Sequence, residues 1–266
     1  MQRTITVNSN ELAKSIETKH LLEQILIENG FNISSKIESN TELIISIGGD
    51  GSFLKTVHDM HFPQIPILGV NTGHLGFFTE INPDQINYFV ENYKNGKFIN
   101  QTISPLEAHV TTKTSSFRKL AINEVVVKSD KSRVIHLTLT FDNRRIQKFS
   151  GDGLIISTST GSTAYNYSAG GSIVDTSLEV LQVTPLQPIN TNAFRCFTSS
   201  IIASKDSIIT ISPEINFENS TLVVIDGVEY KFEDIDTIEL KLSNKNIHVL
   251  RMEHYEFWKM VSKKFL

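Results

Sequence analysis

Cysteine is almost absent from this chain: Cys196 is the only one in 266 residues. That excludes an intramolecular disulfide framework and a cysteine-built zinc site, and it fits a reducing compartment. An excess of basic charge is missing too. Lys and Arg number 25 against 29 Asp and Glu, a formal net charge of −4, which gives no electrostatic case for nucleic acid or an anionic membrane. No apolar run reaches the roughly 20 residues of a membrane-spanning helix. The opening residues lack the apolar core of a secretion signal. No H-E-x-x-H pairing occurs among the eight histidines, and neither a G-x-x-x-x-G-K-[ST] loop nor a G-x-G-x-x-G fingerprint is present. Internal repeats and low-complexity tracts are also lacking. These absences lead to the expectation of a soluble, cytoplasmic protein with no nucleic-acid or membrane partner. With 39% hydrophobic and 20% charged residues, the chain can bury a core, and its length suits one large domain or two.

What is present falls into two grammars. Up to about residue 97, apolar strands alternate with helical patterns. Arg3 to Val7 reads as a strand. Asn8 with Glu11 resembles a capping box opening a helix whose stripe is Leu12, Ile16, Leu22, Ile25 and Leu26, stopped by Gly30. Leu43 to Ile47 reads as a buried strand, Phe53, Leu54 and Val57 as part of a helix, and Pro66 to Val70 as another strand. Asn82-Pro83 is expected to cap a helix that Gly96 closes. This alternation predicts a Rossmann-like α/β domain over residues 1–97. From 98 to 252 short alternating runs dominate, including Leu120–Lys128, Arg145–Phe149 and Gly153–Ser157, with hairpin turns at Asp142-Asn143 and Asp226-Gly227. Two packed antiparallel sheets are expected there. The closing stretch Glu256–Phe265 is expected to form a helix with its stripe at Phe257, Trp258, Val261 and Phe265, and the segment 253–266 to pack back on the first domain.

Four stretches are too polar for the strands around them. In Gly48-Gly49-Asp50-Gly51, glycines remove every Cβ except that of Asp50, at the carboxyl end of a strand. Such a turn admits a phosphate and leaves one carboxylate beside it; the plain alternative is a tight turn with a solvated Asp. Asn71 to Phe78 carries Gly73 and Gly76 around His74 and Leu75, fitting a loop beside a ligand or an ordinary strand exit. Asn123 and Glu124 interrupt an apolar run, where an unpartnered polar group costs about 1–3 kcal/mol. They therefore serve a structural network or meet a ligand. Gly151-Asp152-Gly153 precedes Ser157 to Ser168, rich in Ser and Thr, which reads as a linker or as a hydroxyl-lined turn for phosphate or ribose. Asp50 and Asp152, one from each region, are expected to face one cleft.

Taken together and in this order, Gly48-Gly-Asp-Gly51, Asn71-Thr-Gly-His-Leu-Gly-Phe77, Asn123-Glu124, Gly151-Asp-Gly153 and Gly161-Ser-Thr-Ala-Tyr-Asn166 closely resemble the NAD kinases, as does the terminal Phe257-Trp-Lys259. A lone G-G-D-G also occurs in phosphofructokinases and lipid kinases; the set of blocks spans nearly the whole chain. The resemblance implies an α/β domain plus a β-sandwich-like domain. It implies ATP-dependent phosphorylation of the adenosine ribose 2′-hydroxyl of NAD, with Mg²⁺ accompanying ATP and polyphosphate as another candidate donor. By resemblance, Asp50 is the general base, with Gly49, Gly51 and the phosphate contact Lys55 beside it, and Gly73 and Phe77 in the adjoining loop. Asn123 and Glu124 bind adenosine, and Asp152 contacts the nicotinamide end. Thr160, Thr163, Ala164, Tyr165, Asn166 and Ser168 line the dinucleotide site, and Ser150 and Gln187 border it. No protein-built metal site is expected, and homodimers or homotetramers are. The chain departs from its relatives at Ser52, Ser150, Ser159, Gln187 and Gly227. Two other classes share some of these features: a kinase of another hydroxyl, on a sugar phosphate or a lipid, and a non-catalytic NAD(P)-binding sensor.

Overall fold

The computed structural model describes residues 3–190 and 195–265. The chain divides into two compact units, Met1–Ile103 with Asn246–Leu266, and Ser104–Lys245.

The first unit begins with β1 (Thr4–Ser9), α1 (Ala13–Glu28), β2 (Asn32–Ser34), β3 (Thr41–Gly48), α2 (Asp50–Asp59), β4 (Ile67–Asn71) and β5 (Thr79–Ile81). A 3-10 turn, Pro83–Gln85, leads into α3 (Ile86–Lys94), followed by β6 (Phe98–Ile103). β1 pairs in parallel with β2 and β3, β3 with β4, and β4 with β5. Parallel strands joined by helices are covered on both faces. Accordingly Leu43, Ile44, Ile45 and Ile47 of β3 are all fully buried.

Local signals at the two helix starts have different outcomes. At Asn82 the capping box forms, its N–H donating to Gln85 Oε1 at 2.9 Å. The box expected at Asn8 and Glu11 does not. Pairing of β1 with β3 continues to Ser9, so Asn8 lies in a strand and its side chain donates to Thr56 Oγ1 instead. The helix starts at Ala13 behind Leu12, with no side-chain cap. The stripe expected on α1 also holds only in part. Leu22 and Leu26 are buried, but Leu12 is 67% exposed, and Ser15 and Thr18 take the inward positions nearer the start. Ser15 reaches the Thr72 hydroxyl at 2.7 Å, so a polar contact stands where an apolar one was expected.

The second unit holds β7 (Leu106–Thr112), β8 (Ser116–Ala121), β9 (Glu124–Ser129), β10 (Ile135–Phe141), β11 (Arg144–Gly151) and β12 (Gly153–Thr158). After β12 come a 3-10 turn, Thr160–Thr163, and one turn of helix, α4 (Tyr165–Ser168). β13 (Val180–Leu186), β14 (Ile201–Ser204), β15 (Ile209–Pro213), β16 (Thr221–Ile225), β17 (Val228–Lys231) and β18 (Ile235–Leu242) complete it. The strands form two antiparallel sheets, β11-β10-β15-β18-β7-β8 and β14-β13-β12-β9-β16-β17. Strand β7 alternates buried and half-buried residues, and its Leu106, Ala108 and Val110 join Val125, Leu154 and Val183 of the other sheet in one core. Asp142-Asn143 and Asp226-Gly227 turn their hairpins with positive φ at both residues, the geometry that matches strand twist.

One expected run proves to contain a crossing between these sheets, and two runs expected separately prove to be joined by another. Leu120–Lys128 is not one strand: β8 ends at Ala121 in one sheet and β9 starts at Glu124 in the other. Likewise β11 and β12 lie in different sheets with only Asp152 between them. At the second crossing Gly153 has φ +159°, and a Cβ there would lie 2.4 Å from the Val127 carbonyl oxygen.

The chain then returns to the first unit through β19 (Ile247–Met252) and α5 (Phe257–Phe265). β19 runs antiparallel to β6 and parallel to β4, giving the order β2-β1-β3-β4-β19-β6. Alternation alone groups β6 and β19 with the β-rich region; hydrogen bonding joins them to the α/β sheet. On α5, Phe257 and Val261 are buried, whereas Trp258, expected in the apolar stripe, is 55% exposed.

Arg251 of β19 is buried in this unit with a full set of partners. It bonds Glu80 Oε2 at 3.2 Å, Gln101 Oε1 at 2.8 Å and the Phe77 carbonyl at 2.9 Å, and it lies 3.9 Å from the Tyr255 ring centroid. Glu80 also accepts from the Met252 amide at 2.9 Å. Burial pushes the Glu80 carboxyl above its usual range, while Arg251 pulls it back. Removing one partner of a buried pair strands the other's charge. Arg251→Met is therefore expected to lower the unfolding free energy by about 3 kcal/mol or more in chemical denaturation. The loss is expected to be larger at pH 8 than at pH 5, because the stranded Glu80 is better tolerated when protonated. Adding Glu80→Gln to Arg251→Met is expected to recover part of the loss.

Candidate functional site

In the first unit the glycine turn and the Asn71 loop meet at one carboxylate. Asp50 is the first residue of α2, directly after the glycine that ends the turn from β3. Its Oδ2 accepts the Phe77 amide and its Oδ1 the Phe78 amide, each at 2.9 Å. Such close wrapping requires Gly76: a Cβ there would lie 2.1 Å from Asp50 Oδ1. Phe78 stacks on Phe53 of α2 with centroids 4.7 Å apart, and the Thr72 amide donates to the Gly48 carbonyl at 3.0 Å. A Cβ built on Gly49, Gly51 or Gly73 meets nothing within 4 Å. The turn is thus closed on the Asp50 side and at Gly48, where a Cβ would lie 2.1 Å from Ser52 Oγ, and open at Gly49 and Gly51. The amides at the start of a helix are available to an anion there. Lys55 points elsewhere: its ammonium donates to Asp59, one turn on, and its side chain is 73% exposed.

In the second unit Asn123 and Glu124 sit at the crossing from β8 to β9. Asp226 pins this crossing, accepting the Ile122 amide at 2.7 Å, the Asn123 amide at 2.8 Å and the Glu124 amide at 3.3 Å. The backbone is satisfied there, but the side chains are not. Asn123 Oδ1 and Glu124 Oε2 are buried with no hydrogen-bond partner. Burial, and then the neighbouring Asp226 carboxylate, push the Glu124 carboxyl up to about 8. At neutral pH it carries a proton and can donate. Buried polar atoms without partners are uncommon in folded proteins, and these two are adjacent, beside a carboxyl whose titration is strongly shifted.

The hydroxyl-rich stretch packs onto the same crossing. Thr158 Oγ1 donates to the Ile122 carbonyl at 2.7 Å and accepts from the Gly161 amide at 3.0 Å. A Cβ on Gly161 would lie 2.0 Å from the Asn123 carbonyl oxygen, so only glycine fits. Several of the hydroxyls in this stretch bond backbone carbonyls instead of standing open to a phosphate. Ser157 donates to the Thr158 carbonyl, Ser159 to Leu178, Ser162 to Val174 and Thr163 to Thr160. Asn166 is fully buried and accepts from Thr184 Oγ1 at 2.6 Å, a structural role in this segment. Thr160 and Ala164 are half-buried, while Tyr165 and Ser168 are exposed. Of the remaining expected residues, Ser150 is buried against Cys196, whereas Asp152 is exposed. Gln187 is exposed too, with φ +43°.

Residue-by-residue reading missed Asp226, which it took only for a turn residue, and Arg251 and Lys264, which carry no local signal. Lys264 Nζ lies 3.5 Å from Asp50 Oδ2. Among the described residues, no group of three or more His, Cys, Asp or Glu could hold a metal ion, and no helix is long and apolar enough to cross a membrane.

Residues 5–98 match the model of the ATP-NAD kinase N-terminal domain, and residues 122–252 that of the ATP-NAD kinase C-terminal domain. The chain is 37% identical to an NAD kinase of Finegoldia magna, covering 99% of this chain and 98% of that protein. It is 32% identical to one from Lactobacillus johnsonii, over 97% of this chain and 95% of the relative. Its fold resembles that of a yeast NADH kinase solved in complex with NADH, with TM-score 0.86 and 20% identity over 99% of this chain and 87% of that one. It also resembles an NAD kinase from Archaeoglobus fulgidus solved in complex with ATP, with TM-score 0.72 and 24% identity over 100% and 97%.

The raised Glu124 carboxyl has a stability signature. The native chain holds a proton there that the unfolded chain releases near 4.5, so this group's contribution falls as pH rises from about 4.5 to about 8. Glu124→Gln is expected to flatten the pH dependence of urea unfolding between pH 5 and 8 by on the order of a few kcal/mol. Parallel pH profiles of the two proteins would contradict this. Gly161→Ala, which drives a methyl group into the Asn123 backbone, is expected to cost about 1–3 kcal/mol or more in the same measurement.

Proposed function

The chain belongs to the ATP-NAD kinase family, and on that footing we propose that it transfers the γ-phosphoryl group of ATP to the adenosine ribose 2′-hydroxyl of NAD. The products are NADP and ADP. The observation that carries this reading is Asp50, fixed by two amides at the mouth of an open glycine turn.

In the proposed step the 2′-oxygen attacks the γ-phosphorus, the bond to the bridging oxygen of ADP breaks, and the hydroxyl proton passes to the Asp50 carboxylate. Each Asp50 oxygen accepts one amide bond and keeps a second acceptor direction for the incoming hydroxyl. The two amides also set which way that direction points. Phosphate oxygens take the backbone amides opening α2, where the helix dipole favours negative charge. There is little covalent chemistry for the protein to perform, so positioning and charge stabilisation supply most of the acceleration. Mg²⁺ arrives with ATP as part of the substrate and neutralises phosphate charge when bound.

In the second unit, Asn123 Oδ1 and the protonated Glu124 offer one acceptor and one donor to the adenosine part of NAD. Tyr165 offers an aromatic face, and Ser150, Asp152, Thr160, Thr163, Ala164, Asn166, Ser168 and Gln187 complete the dinucleotide surface. Of these, Asn166 contributes by holding the segment in shape. Gly73 and Phe77 belong to the phosphate side of the proposal, whereas Lys55, expected there by resemblance, is paired with Asp59 and takes no part in it. We also place the enzyme in the cytoplasm as a homodimer or homotetramer, following the resemblance to its relatives and the single buried cysteine.

Purified protein with NAD, ATP and MgCl₂ is expected to form NADP in an NADP-specific coupled assay. Asp50→Asn is expected to lower kcat by about 10²–10⁴. Absence of NADP at high enzyme concentration, with phosphate transfer to a sugar phosphate or lipid instead, would replace NAD as acceptor. Binding of NAD without turnover would make the protein a sensor. Full activity in Asp50→Asn would remove the base role.

A further inference from the structure

We propose that Lys264, on the carboxyl-terminal helix, is a positioning residue for phosphoryl transfer at Asp50: a counter-charge that holds the carboxylate at rest and turns to the phosphate during the reaction. The proposal rests on the reading of Asp50 as the base.

Two lysines are candidates for a cation at this turn. Lys55 follows Asp50 closely in sequence but is committed to Asp59 and faces solvent. Lys264 is 214 residues away in the chain, yet its ammonium lies 3.5 Å from Asp50 Oδ2, with the two side chains 32% and 27% exposed. The ammonium also sits 4.8 Å from the Phe77 ring centroid, within reach of a cation–π contact. Phe77 is the residue whose amide binds that same Asp50 oxygen. One residue thus fixes the carboxylate through its backbone and touches the lysine with its ring.

The helix does not depend on the ion pair for its place. Phe257 and Phe265 both lie 5.9 Å from the Phe77 ring, and Phe257 and Val261 are buried. Apolar packing presents Lys264, while the ammonium on its four-carbon stem stays partly in solvent and free to turn.

That mobility suits the chemistry. Before phosphate arrives, a carboxylate beside open amides benefits from a fixed counter-ion. When the 2′-oxygen attacks the phosphorus and its proton moves to Asp50, negative charge spreads over the transferring phosphoryl oxygens and onto the departing ADP. An ammonium that turns from the carboxylate to those oxygens stabilises that charge and leaves the carboxylate free to accept the proton. No further reactant is needed.

The test is steady-state kinetics with NAD and MgATP for wild type, Lys264→Met, Lys264→Arg, Asp50→Asn and the Asp50→Asn/Lys264→Met double variant, together with calorimetric MgATP binding. Lys264→Met is expected to lower kcat about tenfold and to weaken MgATP binding several-fold. The KM for NAD is expected to stay within about twofold, and Tm within a few degrees. Lys264→Arg is expected to recover most of both losses. In the Asp50→Asn background, removing the lysine is expected to cost less than about twofold further, since coupled residues are not additive. A Lys264→Met kcat within twofold of wild type, a loss that arginine does not recover, or the same factor in both backgrounds would overturn the proposal. If Asp50→Asn keeps full activity, the base reading fails in its own arm. If no NADP forms at all, unchanged MgATP binding in Lys264→Met still overturns the role of the lysine.

Discussion

Two backbone amides on one carboxylate organise the first unit's site. Phe77 and Phe78 donate to the two oxygens of Asp50, and each consequence follows from how close that brings the loop. Gly76 has to be glycine because a methyl group would strike Asp50. Gly69 of β4 leaves room for the Phe78 carbonyl, which a Cβ there would meet at 2.3 Å. Phe78 is then delivered onto Phe53, and the Phe77 carbonyl onto buried Arg251. The loop from 76 to 80 is therefore held by a carboxylate, an aromatic stack and a guanidinium together. With the loop so occupied, the glycine turn stays open at Gly49 and Gly51, where no side chain covers the backbone.

The second unit repeats the device at another carboxylate. Asp226 gathers three consecutive amides where the chain passes from one sheet to the other. A sheet crossing breaks both ladders, and the backbone groups left over need acceptors. One aspartate in a tight turn supplies them. The side chains of Asn123 and Glu124 gain nothing from it and keep buried polar atoms without partners. The backbone is satisfied and the side chains are not. Burial beside Asp226 also explains why Glu124 holds its proton at neutral pH.

Much of this was legible in order along the chain. The alternation of apolar runs and helical patterns up to residue 97 corresponds to the parallel strands and helices of the first unit, and the period-two runs after it, apart from β6 and β19, to two antiparallel sheets. Asp142-Asn143 and Asp226-Gly227 turn hairpins as their residue types require, and Asn82 caps as its spacing predicts. Elsewhere pairing overrode local chemistry. Asn8 has a cap's composition, yet β1 extends through it because β3 offers a continuous partner. Leu120–Lys128 reads as one strand because apolar periodicity does not register a change of sheet. The hydroxyls of Ser157, Ser159, Ser162 and Thr163 look like ligands for phosphate, and in the fold they bond backbone carbonyls, those of Ser157 and Thr163 within the segment and those of Ser159 and Ser162 on the chain that follows it.

The sequence by itself determined the chemistry on offer: a glycine turn with one aspartate, an Asn-Glu pair inside apolar surroundings, a hydroxyl-rich segment, and the family to which their order belongs. Those properties are local, set by side-chain type, glycine freedom and spacing. Tertiary structure alone decided which partners each group acquired. Asp226 reaches Asn123 across 103 residues and Lys264 reaches Asp50 across 214, while Lys55, five residues from Asp50, is taken by Asp59. Contacts over such separations depend on sheet pairing and helix docking. No window of the chain contains them, and for that reason the aspartate in its glycine turn was readable and the lysine paired with it was not.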